Sequence, residues 1–292
     1  MLITYSTPRT AVPVVSVSEM FNKGLFTFGF TVKSHIFCDP LYETRRPSSF
    51  PELVKLSRGI SNPENDYFSS IPVDSLPAGV KEHLGDTLTM LWSKATSKLV
   101  VKAVGIYSDA CHMQGAYALI PLDSMPQQPS WKDQFLLLTK RVKLHGPVIP
   151  YRKYEIKDHL LLDFEDSIRA IVSQTHEKEI KTSLDDLTVE YYGVMRNTLP
   201  DTLFMTVHGH WYGATEWCWH TVYVAVRSDS GWKYSEVLKL NKGNRRFQID
   251  SAFDLNGDGI MEMLVMESAS SAVYSIVNGQ LVPVAMSGYR GC

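Results

Sequence analysis

Between residues 187 and 286 the chain repeats one kind of segment eight times: "LTVEYYGVM", "TLFMTVHGHWYG", "WCWHTVYVAV", "WKYSEVLKL", "RRFQIDSAF", "MEMLVMES", "AVYSIVNG" and "QLVPVAM". Each is rich in β-branched and aromatic residues, which fit a pleated, half-buried surface better than a helix. A single strand of this kind cannot satisfy its own backbone, so eight in close succession require sheets, and the short intervals between them favour antiparallel pairing. Asn278-Gly279, between the last two, is a two-residue hairpin turn, because both turn positions need positive φ and these residues tolerate it.

One stretch breaks the pattern. In "IKDHLLLDFEDSIRAIVSQTHEKEI" (156–180), Leu161, Phe164, Ile168, Ile171 or Val172 and Thr175 recur at steps of three and four residues, with charges opposite, as in an amphipathic helix. Its acidic opening turns suit the positive end of the helix dipole. The first half of the chain is again strand-like: "GLFTFGFTVKSHIF" (24–37) reads as sheet, and 97–108 with 115–122 reads as a hairpin across a polar turn. Pro47, Pro51, Pro63, Pro72 and Pro77 punctuate the interval between them, which is loop or small helical turns. Proline-rich stretches before residue 151 suggest a boundary near 150. The fold class expected is therefore α+β, mainly β: antiparallel sheets and hairpins in two β-rich domains, 1–150 and 151–292, with one helix near 156–180.

The 292 residues suffice for a full-sized core, and 44% hydrophobic with 21% charged residues is globular composition. A net charge of −2 with scattered basic pairs (Arg45-Arg46, Lys140-Arg141, Arg245-Arg246) offers no field for a phosphate backbone, so nucleic acid is not an expected partner. The apolar runs are too short to span a bilayer, and no secretory leader is visible at the start. Cys38, Cys111, Cys218 and Cys292 contain no CxxC pair; they read as thiols, with one or two disulfides as the alternative.

The most chemically specific segment is "FDLNGDGIMEMLV" (253–265). Counting from Asp254, oxygen-bearing side chains fall at positions 1, 3 and 5 (Asp254, Asn256, Asp258), Ile260 stands at 7 where a backbone carbonyl can turn inward, and Glu262 is at 9. Alternate oxygens with Gly257 and Gly259 between them suit a short loop wrapped around a hard cation of calcium size. An EF-hand needs a bidentate carboxylate at position 12, where this chain has Val265, and needs helical flanks; here Phe247, Ile249 and Phe253 alternate before the loop and Met261, Met263 and Val265 after it. The loop is thus the tip of a β-hairpin. "DLNGDGIME" resembles the calcium-binding hairpin of FG-GAP and VCBS type, found in integrin-like propellers and many bacterial secreted proteins, with glutamate at position 9 in place of the commoner aspartate. The resemblance covers about residues 247–267. It implies structural Ca²⁺ held by Asp254, Asn256, Asp258, the Ile260 carbonyl and Glu262, and a protein working in an extracellular or periplasmic, bacterial setting. A single such loop does not imply a full propeller. The bland reading is an Asx-rich turn without an ion.

A second constellation lies in "VHGHWYGATEWCWHTV" (207–222). With the turn centred on Ala214, His208 faces His220 and His210 faces Cys218 on one side of the hairpin; Trp211 meets Trp217 and Trp219 covers Gly209 on the other. The donors suit Zn²⁺, with Glu216 as a general base of a metal-dependent hydrolase; the tryptophans suit stacking on a sugar. The plainer reading is a hairpin whose tryptophans enter a core. His35 near Cys38, and Cys111-His112, read as buried structural residues rather than ligands. No GxSxG, HExxH, P-loop or GxGxxG stands in its required context. The leading expectation is a non-enzymatic, calcium-stabilised β-rich protein that binds a protein or glycan; the rivals are the hydrolase and a carbohydrate-binding module.

Overall fold

The computed structural model describes residues 15–32, 35–39, 68–92, 96–108, 113–123, 125, 129, 135–145, 148–150, 152–154, 159–176, 188–193, 202–210, 218–228, 231–242, 247–267 and 270–287. As the strand-like composition requires, these residues are mostly β, in three antiparallel sheets with few helices, and they do not form a propeller. Among them no helix is long and apolar enough to cross a membrane.

The first sheet comprises β1 (Phe26–Val32), β2 (His35–Cys38), β3 (Phe68–Ser70), β4 (Thr87–Leu91), β5 (Thr96–Ser108), β6 (Met113–Pro121) and β7 (Phe135–Thr139), ordered β3-β5-β4-β7-β1-β2-β6. Because β5 also pairs with β6, strands β4, β7, β1, β2, β6 and β5 close into a ring. The long β5 makes closure possible: a register shift between Val101 and Ala103 bends it, so its first half pairs with β4 and its last residues with β3 along the same edge. The ring is filled by Cys38, Leu88, Met90, Trp92, Leu99, Val104, Tyr117, Phe135 and Leu137, a packed interior and not a channel. Gly29 is opposite Phe135, whose ring occupies the space a Cβ would need.

The chain then crosses into two further sheets. β8 (Ile149–Pro150) joins β14 (Phe247–Phe253), β15 (Glu262–Glu267), β16 (Ser270–Val277) and β17 (Gln280–Met286) in the order β17-β16-β15-β14-β8. β9 (Arg152–Tyr154) joins β10 (Thr188–Gly193), β11 (Thr202–His210), β12 (Cys218–Ser228) and β13 (Gly231–Lys242) in the order β13-β12-β11-β10-β9. The β14–β17 sheet is the middle layer. Met263, Val265, Ala272 and Tyr274 pack toward Phe204, Val222 and Val224 of the other sheet, while Leu264, Val273, Phe253 and Leu255 pack toward Phe26, Phe28, Leu136 and Leu138 on the outside of the ring. Burial on both faces explains why "MEMLVME" is apolar at successive positions, where a half-buried strand would alternate. The helix α1 (Val17–Asn22) adds Val17 and Met20 to the same junction.

Several expectations are met in detail. The 97–108/115–122 hairpin is β5–β6; Asn278 and Gly279 both have positive φ (52° and 77°) between Val277 and Gln280, the geometry of a primed turn. Pro283 sits in β17, at the edge of its sheet, where a missing N–H is tolerated. Among the described residues the proline-punctuated interval contains the expected small helical turns, a 3₁₀ turn (Val73–Ser75) and the four-residue helix α2 (Ala78–Lys81), but also strands β3 and β4, which the loop reading did not include; Pro47, Pro51 and Pro63 lie outside the described residues. The expected helix is α3 (His159–His176), with Ile168 and Val172 buried.

One detail differs and two are sharpened. Residues 24–37 are sheet as expected, in the form of two antiparallel strands, β1 and β2, closed by the Val32–His35 pair; composition registers strand preference and not the point of reversal. The helix starts at His159, so its first turn carries no acidic residue, and Thr175 is exposed although it sits beside Tyr223 of β12. The boundary placed near 150 falls between β8 and β9, and the apolar cluster around Leu136, Phe253 and Leu264 contains residues from both sides of it.

Candidate functional site

The loop 254–261 caps the β14–β15 hairpin, whose last cross-strand pair is Phe253 with Glu262. Its path is set by short-range hydrogen bonds from backbone amides to acidic and amide side chains. Asp254, only 7% exposed, accepts from the N–H of Gly257 at Oδ1 (2.6 Å) and from the N–H of Gly259 at Oδ2 (3.1 Å). Asn256 Oδ1 accepts from the N–H of Asp258 (3.2 Å), and Asp258 Oδ1 accepts from the N–H of Ile260 (2.7 Å); Asn256 Nδ2 donates to Asp258 Oδ2 (3.0 Å). Gly257 and Gly259 take φ of 80° and 84°, values that a side chain would make costly. The spacing of oxygen donors and glycines in the sequence therefore describes this backbone correctly.

Glu262 differs from the others. It is 1% exposed, and its Oε2 accepts from the N–H of Leu255 (2.9 Å). Burial pushes its carboxyl up to about 8; the Leu255 N–H opposes this, and the charges of Asp258 and Asp254 add to the rise. Among the described residues it has no ion-pair partner. The donor set is all oxygen, as a hard cation requires. In this geometry the carboxylates of Asp254, Asp258 and Glu262 are not gathered into one coordination sphere: among the described residues no group of three or more His, Cys, Asp or Glu is arranged to hold a metal ion. Each Asp254 and Asp258 oxygen that accepts a backbone N–H keeps a second lone pair, so holding Ca²⁺ would require the three carboxylates to turn toward one point rather than to give up those amides.

The histidine hairpin has the register expected from its sequence. His208 pairs with His220, Gly209 with Trp219 and His210 with Cys218 across β11 and β12. His220 is buried, its ring 5.7 Å from that of Phe247 in the middle sheet, while His208 is half-buried. This face of the ladder is thus turned into the space between two sheets. Trp211, Glu216 and Trp217 lie outside the described residues, as do Cys111, His112 and Cys292, and the side chains of His210, Cys218 and Trp219 are likewise not described. His35 and Cys38 point to opposite faces of β2: His35 is exposed, not buried as expected, and stacks on Phe37 (centroids 6.3 Å apart, planes at 27°), while Cys38 carries a thiol buried inside the ring. They cannot share a metal.

Sequence reading missed one polar cluster altogether. The turn after α2 places His83 Nδ1 2.9 Å from Asp86 Oδ2, and the turn after β7 brings Lys140 Nζ to 3.7 Å from Asp86 Oδ1, at a cavity of about 180 Å³. The His-x-x-Asp spacing was visible in "EHLGD"; the arrival of Lys140 and Arg141 depends on the pairing of β4 with β7, which local pattern does not reveal.

No protein-family model matches the chain, and neither any curated protein nor any solved structure matches it.

Proposed function

We propose that the 254–262 loop binds one Ca²⁺ through Asp254, Asn256, Asp258, the Ile260 carbonyl and Glu262, and that the protein is a calcium-stabilised, β-rich binding or interaction protein of the extracytoplasmic space, where calcium is abundant. The observation that supports this most is Glu262: a carboxyl buried in an apolar hairpin beside two further acids is unfavourable when ionised, and a divalent cation reverses the sign of that environment. The ion's role is structural. Leu255, inside the loop, belongs to the same apolar cluster as Phe26 and Leu138 of the ring, and the Asp254 carbonyl accepts from the N–H of His145 (3.3 Å), so ordering the loop orders a junction between sheets. Binding to the folded form alone stabilises by ~2.7 kcal/mol at a hundredfold excess over Kd. Asp254 and Asp258 bind the ion together with Glu262 through the lone pairs that the backbone amides leave open.

Elemental analysis of protein purified without chelator tests this reading against the zinc hydrolase. Calcium at unit stoichiometry, retained in His210→Ala and lost in Asp258→Asn, supports it. Zinc at unit stoichiometry that disappears in His210→Ala overturns it and transfers the chemistry to His208, His210, Glu216 and His220.

A further inference from the structure

A cleft distinct from the acidic hairpin is built from three turns at one end of the ring. Its walls include Lys23 and Gly24 after α1, Glu82, His83 and Asp86 after α2, and Lys140 and Arg141 after β7. The frame is held by backbone bonds: Thr139 N–H to the Leu25 carbonyl (3.0 Å), Asp86 N–H to the His83 carbonyl (3.1 Å), and Gly85 N–H to the Val101 carbonyl at the β5 bend (2.9 Å). Gly85, at φ 83°, makes the reversal between His83 and Asp86 possible.

Within this frame the imidazole of His83 is fixed in orientation. Its side chain is 16% exposed, its ring lies 6.2 Å from that of Tyr117, and Nδ1 meets the Asp86 carboxylate. A carboxylate only accepts, so Nδ1 is the donor, and Nε2 is the ring edge left toward the cleft, 3.8 Å from Glu82 Oε1 and too far for a hydrogen bond. Asp86 is committed on both oxygens, to His83 and to Lys140. Lys23 reaches Glu19, on the solvent side of α1, with both side chains about half exposed and able to reorient. The lining thus carries Lys23, Lys140 and Arg141 against Glu82 and Asp86, with Lys140 paired to Asp86. Lysine ammonium and arginine guanidinium groups that line the same cleft as an imidazole match the oxygens of a phosphate group. The volume, about 180 Å³, resembles the ~150 Å³ void that admits a benzene ring, so the cleft has room for the phosphate and a small organic group attached to it.

We propose that this cleft binds a small phosphate monoester, its oxyanion held by Lys140, Arg141 and Lys23 and met by the Nε2–H of His83 in its imidazolium form, the form in which both ring nitrogens donate. The site is separate from the calcium loop and stands or falls independently of it. The test is a titration of the full chain, carrying ¹³C-labelled histidine, with glycerol 3-phosphate, with inorganic phosphate and with glycerol as the uncharged control, followed by NMR of the imidazole Cε1–H signals. The His83 resonance, assigned by its loss in His83→Gln, is expected to shift saturably at millimolar ligand with both phosphates and not with glycerol. A tighter response to the monoester than to inorganic phosphate identifies the organic group as part of the ligand; an equal response overturns the monoester assignment. The double substitution K140E/R141E is expected to weaken binding more than tenfold at unchanged melting temperature, and Lys102→Glu, on an exposed position of β5, to leave it unaltered. If the double variant unfolds, Lys23→Glu, outside the ring, takes its place and is expected to weaken binding severalfold. No saturable shift of His83, or affinity equal in the charge-reversed and Lys102→Glu proteins, overturns the proposal.

Discussion

Glu262→Gln separates the two consequences of burying an acid beneath a cation loop. In the ion-free protein the Glu262 carboxyl is held at about 8, against 4.5 in an ordinary environment, chiefly by burial. Below pH 4.5 both folded and unfolded chains carry the proton, and the burial of this group costs nothing in charge. Between 4.5 and about 8 the unfolded chain is ionised while the folded one retains its proton. Stability therefore falls as pH rises through that window, and above it the loss is constant. At ~1.4 kcal/mol per pH unit the full loss is on the order of 5 kcal/mol, a large fraction of a domain's stability. Glutamine keeps an acceptor for the Leu255 N–H and cannot ionise. Urea denaturation of calcium-stripped protein at pH 5 and pH 8.5 reads the effect: the parent loses several kcal/mol between the two, the variant much less, so that the variant is the more stable protein at pH 8.5. Added calcium reverses the order, because only the parent supplies the carboxylate. A variant with the same pH dependence as the parent, or with the same gain from calcium, refutes the reasoning.

Three further substitutions probe the scaffold. Gly29→Ala forces a methyl group into the ring of Phe135 inside the closed sheet, and equilibrium unfolding should show a loss of ~1–3 kcal/mol or more, as overpacked cores do. Leu264→Ala removes a fully buried side chain from between the middle sheet and the ring; a cost of ~2–5 kcal/mol is expected in the same assay, and a cost below ~1 kcal/mol contradicts the packing of these layers. Thr206 is wholly buried and its hydroxyl has no hydrogen-bond partner among the described residues, so Thr206→Val should raise stability by ~1 kcal/mol; a loss contradicts the assignment.

The legible parts of this sequence were those governed by neighbours in the chain. Asn278-Gly279 specified its turn because only positive φ at two adjacent residues matches the strand twist, and the 207–222 segment specified its register because symmetric placement about Ala214 leaves one solution. The acid–glycine alternation of 254–262 likewise marked the tip of a hairpin with glycines at positive φ, while the bonds from its acidic side chains to its own amides correspond to the Asx-rich turn, the alternative reading of that segment. What was not legible is tertiary. Closure of the ring depends on β5 reaching β3, β4 and β6 at once, and "SKLVVKAVGIYS" looks like any long strand. The three-layer stack depends on the middle sheet being apolar on both faces, a trait of "MEMLV" that pattern alone shares with a buried helix. The His83 cleft was hidden for the same reason: its residues, from 23 to 141 in sequence, meet only once β4 and β7 pair.

The central claim is that an ion at residues 254–262 holds the hairpin and, through Leu255, the junction of the sheets. Isothermal titration of chelator-stripped protein with calcium, paired with melting curves of the same samples, measures it directly. One site per chain and a rise in Tm that grows with calcium concentration, both abolished in Asp254→Asn, are the results expected. No heat of binding and an unchanged Tm in millimolar calcium contradict the claim and leave the loop as a self-bonded turn.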